Sequence, residues 1–125
     1  MIRVLIADDH VMFRQGLLNL LNTSEGIEIV AECGDGKKAL ELIRSLEPDI
    51  AILDITMPLL DGISITQTIK TMRLSTRVIM LTMHDDFLVY SRAINAGASG
   101  FILKDDAYEE LFDALHTVAA GGTAS

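Results

Sequence analysis

Tryptophan is absent from the chain, and cysteine, proline and aromatic residues are scarce: one Cys, two Pro and 5% aromatics. A single thiol, Cys33, excludes an internal disulfide framework and suits a reducing compartment. Within an apolar run it reads most simply as a small buried hydrophobe. With so few large rings, Leu, Ile, Val, Ala and Met must fill the interior, and 50% of the residues are hydrophobic. No apolar run approaches the ~20 residues that span a bilayer. The N-terminus lacks the basic, apolar and small-residue order of a signal peptide. These absences predict a soluble, cytoplasmic chain with no membrane partner. Positive charge is also short, since 10 Lys and Arg stand against 18 Asp and Glu for a net charge of −8. Such a field repels nucleic acid and anionic membrane, which excludes DNA binding by this segment itself. At 125 residues, one domain with one sizeable core is expected.

Five short apolar runs recur, from Ile2 to Ala7, Ile27 to Cys33, Ile50 to Asp54, Val78 to Thr82 and Gly100 to Leu103. Their spacing of about 25 residues is that of βα units. Three of the runs, VLIA, IAIL and VIML, are continuous instead of alternating, the pattern of strands covered on both faces. Between the runs the apolar residues take helical spacing: Phe13, Leu17, Leu20 and Leu21; Ala39, Leu42, Ile43 and Leu46; Ile65, Ile69 and Met72; more weakly Val89, Ala93 and Ala96; and Leu111, Ala114, Leu115 and Val118. Gly34, Gly36, Pro48, Pro58, Gly62, Gly97 and Gly100 punctuate the intervals. Right-handed crossovers in a βα alternation place helices on both faces, so the fold is a doubly wound α/β sandwich with a five-stranded parallel sheet and five helices. One domain spans 1–121, and the tail at 122–125 is expected to be loose.

Ligands of an open parallel sheet bind beyond the carboxyl ends of its strands. Those ends carry Asp8 and Asp9, then Asp54, then Thr82, then Lys104. If the first and third strands are neighbours, three carboxylates meet, which is costly unless a cation joins them or a pKa rises. Mg²⁺ takes oxygen ligands and keeps several waters. Asp9, Asp54 and the Thr56 carbonyl are candidates for direct ligation, with Asp8 acting through water. Asp54 is then a candidate covalent phospho-acceptor, with Lys104 pairing with the phosphate and Thr82 donating to it. Each residue also has an ordinary reading: Asp8 or Asp9 as a helix cap, Thr82 as a strand terminus, Lys104 as a solvated charge. Four apt residue types at the ends of four strands favour the joint reading.

In these segments, VLIADDH, DIAILDITMPLLDG, VIMLT and GASGFILKDD, the chain resembles the receiver domains of two-component response regulators over essentially its whole length. ADDH, LKDD and VAAGG make it similar to the NarL/LuxR subfamily. The resemblance implies a flavodoxin-like sheet of order 2-1-3-4-5 and a phosphorylation-controlled switch, not a true enzyme. It further implies transfer from a sensor histidine kinase onto Asp54 with Mg²⁺, and a phosphorylation-promoted homodimer. Output would run through a C-terminal DNA-binding domain absent from this chain, so that the function is transcription regulation. A stand-alone receiver acting by protein binding is the alternative. Phe101 matches the family's aromatic switch position beside Thr82, without a phenolic hydroxyl. Asp105 follows Lys104 where the family often has Pro after a cis bond, and such a bond before a non-proline costs about 2.5–4 kcal/mol. Thr56, Met83 and His84 match positions that tune dephosphorylation. His84 reads as a surface residue, and His10 and His116 are not read as metal ligands.

Two other classes fit less well. A haloacid dehalogenase-type phosphatase wants a second Asp two residues beyond the nucleophile, where this chain has Thr56. A flavin-binding protein wants a Ser/Thr/Gly-rich phosphate loop after the first strand, where this chain has the acidic ADDHVMF.

Overall fold

A computed structural model describes residues 1–124. Five strands, β1 (Ile2–Ala7), β2 (Ile27–Cys33), β3 (Ile50–Asp54), β4 (Arg77–Thr82) and β5 (Gly100–Leu103), alternate with helices α1 (Val11–Asn22), α2 (Gly36–Leu46), α3 (Gly62–Thr71), α4 (Phe87–Ala96) and α5 (Ala107–Ala119). All strand pairs are parallel and the sheet order is β2-β1-β3-β4-β5. The flavodoxin-like expectation therefore holds. β4 begins one residue earlier than its apolar run, because Arg77 pairs through its backbone with Ile50 while its side chain stays exposed.

Successive residues of a strand point to opposite faces, and the continuous apolar runs feed two cores. Val4, Ile6, Ile50, Ile52, Ile79 and Leu81 pack with α1 and α5 on one face. Leu5, Ala7, Ala51, Leu53, Val78 and Met80 pack with α2, α3 and α4 on the other. All five residues of β3 are buried. Truncating a central side chain such as Ile52 to Ala costs about 2–5 kcal/mol.

Local chemistry sets where the helices start. Asp35, Asp61 and Asp86 are N-caps whose carboxylates accept from Lys38 N, Ser64 N and Leu88 N, which satisfies helix-end N–H groups. At α3 the approach is close: a Cβ on Gly62 would lie 2.5 Å from the Asp54 carbonyl oxygen, so glycine is required for the helix to start against the end of β3. Of the tail at 122–125, Ser125 lies outside the described residues. Gly121 turns the chain at φ +97°, and Ala124 then pairs in parallel with Gly100, accepting from Phe101 N at 2.9 Å and donating to Ser99 O at 2.9 Å. No helix among the described residues is long and apolar enough to cross a membrane.

Candidate functional site

The strand order reverses between β1 and β3, which lie side by side with Ala7 opposite Leu53. Beyond this pair the chain brings Asp8, Asp9 and Asp54 together. Asp8 is fully buried and Asp54 nearly so, at 4% exposure. The Lys104 ammonium, itself buried, joins them: Nζ lies 2.8 Å from Asp8 Oδ2 and donates to Asp54 Oδ2 at 3.0 Å. It also sits 4.9 Å from the centre of the Phe13 ring, an attraction between cation and π face. Asp54 Oδ1 accepts from Thr56 N at 3.2 Å.

Burial pushes the Asp54 carboxyl up to about 6, and the nearby Asp8 charge adds to this. The Lys104 hydrogen bond opposes both, without cancelling them. Asp8 does not cap α1: its Oδ1 accepts from His10 N, and the N-cap position is held by His10 without a side-chain bond. The capping alternative for Asp8 thus falls away. Asp8 Oδ2, close to the ammonium but poorly aligned with it, accepts no hydrogen bond.

Thr82 closes β4, and its Oγ1 accepts from His84 N at 3.1 Å. Asp9, His10, Asp54, Thr56, Thr82, Met83 and His84 line one open cavity of about 240 Å³. Phe101 lies on β5 and is buried, meeting Tyr90 of α4 edge to face at 5.2 Å between centroids. Lys104 opens a 3-10 turn (Lys104–Asp106), and no peptide bond among the described residues is cis. Lys104–Asp105 is therefore trans, and the ammonium reaches the carboxylates in that geometry.

Every residue singled out from the sequence, Asp8, Asp9, Asp54, Thr56, Thr82, Lys104 and Phe101, falls at this edge or on the strand beside it. His10 is the residue that sequence reasoning set aside. Its Nδ1 joins oxygens of Asp8, Asp9 and Asp54 in a group that could hold a metal ion, all within 4.8 Å of one another. Its place next to the acidic pair was the available signal.

Residues 4–116 match the family described as response regulator receiver domain. The transcriptional regulatory protein LnrK of Bacillus subtilis is 38% identical over 122 residues, 98% of this chain and 56% of the relative. The nitrate/nitrite response regulator protein NarL of Escherichia coli is 36% identical over 120 residues, 94% of this chain and 55% of the relative. This chain thus spans about half the length of those relatives. A solved two-component response regulator of the LuxR family from Aurantimonas superposes with a TM-score of 0.92 at 34% identity, covering 98% of this chain and 88% of that one.

Proposed function

Since this chain belongs to the response regulator receiver domains, the phosphorylation-controlled signalling switches of two-component systems, we propose that Asp54 is its phospho-acceptor and that Thr82, Phe101 and Lys104 carry the switch. One observation supports this above the rest: a buried carboxylate at the end of a fully buried strand, hydrogen-bonded to a buried ammonium and sharing a cavity with a buried threonine.

In the reaction an Asp54 carboxylate oxygen attacks phosphorus, a P–O bond forms, and the bond to the donor breaks. With a sensor histidine kinase as partner, the broken bond is P–N and the imidazole leaves. Asp9, Asp54 and the Thr56 carbonyl would hold Mg²⁺, with Asp8 acting through water. The fit lies in the three clustered carboxylates and in Asp8 Oδ2, a buried acceptor without a hydrogen bond. When bound, Mg²⁺ supplies charge neutralisation to the in-line transfer. Lys104 turns its ammonium from Asp54 to the new phosphoryl oxygens. The Thr82 hydroxyl accepts from His84 N, which leaves its proton to donate to the phosphoryl group. Thr82 then moves inward and Phe101 repacks against Tyr90.

Output through a DNA-binding domain, as in a transcription regulator, is the fuller reading. Phosphorylation would promote a homodimer through apolar side chains that are now exposed. Met12, Tyr108 and Phe112 on α1 and α5 form one such face, and Phe87 and Leu88 on α4 another. Sedimentation with and without phosphodonor checks this, and a phosphorylated chain that stays monomeric would point to a different partner protein.

The central test is labelling. Acetyl phosphate with Mg²⁺ should add one phosphoryl mass to the wild-type chain and none to Asp54→Asn. An equal mass gain in the variant would place the acceptor elsewhere.

A further inference from the structure

His10 follows the acidic pair and turns its ring across the same cluster. Nδ1 lies 2.8 Å from the Lys104 ammonium, 3.3 Å from Asp8 Oδ1, 3.7 Å from Asp9 Oδ1 and 3.8 Å from Asp54 Oδ2. An ammonium has only donors, so at this distance Nδ1 is the acceptor. Nδ1 thus faces the carboxylate oxygens of the cluster. Independently, Asp8 is fully buried and its Oδ2 accepts no hydrogen bond. The Lys104 ammonium stands 2.8 Å from it without the alignment to donate, which leaves its lone pairs open to a further cation.

The donor set is thus mixed, with carboxylate oxygens from three residues and one imidazole nitrogen. An ion with ligands at roughly 2.0–2.2 Å bridges such separations after small side-chain movements. Mg²⁺ is a hard ion that favours oxygen alone. Imidazole suits Zn²⁺, Ni²⁺ and Cu²⁺, and affinity for a nitrogen-containing site rises along the first-row series.

We propose that His10 Nδ1 is a metal ligand and makes this site favour borderline first-row ions of the Ni²⁺ and Zn²⁺ class over Mg²⁺. The proposal rests on the reading of the acidic cluster as a divalent-cation site. It has a consequence for Lys104: an ion that takes the Nδ1 lone pair removes one of the ammonium's three anchors, leaving Lys104 freer to meet a phosphoryl group.

The test is calorimetric titration of NiCl₂ and of MgCl₂ into the whole chain in a non-chelating buffer. Wild type, His10→Ala, His84→Ala and Asp9→Ala are compared. His10 is exposed, so its truncation leaves the cores intact, and His84 serves as the control because it lines the same cavity. Wild type should bind Ni²⁺ at least about 30-fold tighter than Mg²⁺, and His10→Ala should lose about tenfold or more for Ni²⁺ while Mg²⁺ changes less than about twofold. In the Co²⁺-loaded chain an exchangeable imidazole N–H resonance should be paramagnetically shifted, and His10→Ala should lack it. Unchanged Ni²⁺ affinity in His10→Ala, equal losses for both ions, or loss in His84→Ala instead would each overturn the proposal. Asp9→Ala separates the two levels: Mg²⁺ affinity unaffected by it would remove the underlying cation site, and His10 ligation with it.

Discussion

Asp54 is held at the end of β3 in a state that favours its protonated form. Its folded pKa of about 6 stands above the ordinary 3.8, chiefly because of burial. The folded state therefore binds the proton more tightly than the unfolded state. Stability from this group is present in full below about 3.8 and is lost as pH rises through about 6. Asp54→Asn has no such loss. With a chelator present, the variant should melt higher than wild type at pH 7 by up to about 3 kcal/mol, and the gap should close toward pH 4. A pH-independent gap would mean that something other than carboxylate ionisation separates them. That Asp54, Thr82 and Lys104 meet was legible in the sequence because parallel strands deliver all their carboxyl ends to one edge. His10 was not. It lies just past β1 in extended backbone, at φ −84° and ψ 98°, and neither periodicity nor spacing tells where a loop side chain aims its ring.

At the scale of elements, the proposed switch runs through β4 and β5. They pair from Ile79 with Gly100 to Thr82 with Leu103, so that a displacement at Thr82 reaches the backbone beside Phe101. The Phe101 ring, seated edge to face on Tyr90, links β5 to α4. Thr82→Ala should still accept the phosphoryl group but should lose the phosphorylation-dependent change in amide exchange across residues 82–104. If the variant shows the wild-type change, Thr82 does not couple the two events. The strands were readable because burial on both faces produces continuous apolar runs, and only the polar first residue of β4 escaped. The faint stripe of α4 has a structural cause. It buries the small residues Ala93 and Ala96 while Phe87 and Leu88 stay exposed, so its apolar residues do not mark one face.

For the molecule as a whole, the two cores are separated by a sheet whose outer strand, β5, is the shortest of the five. The segment after α5 was expected to be loose because Gly121 and Gly122 carry no side chains to pack. The sequence cannot show that Gly121, at φ +97°, turns the backbone into reach of a strand. The bridge has a colloidal consequence. Unpaired N–H and C=O groups along an outer strand invite pairing with a strand of another molecule, and Ala124 occupies the two offered by Phe101 and Ser99. Ala124 therefore acts as a selvedge, standing where a neighbour's strand would otherwise pair. A chain ending at Gly121 should keep its helix content but scatter more light as concentration rises, with a lower threshold for precipitation than the 125-residue chain. Equal scattering from both would show that the short rim of β5 needs no such cover.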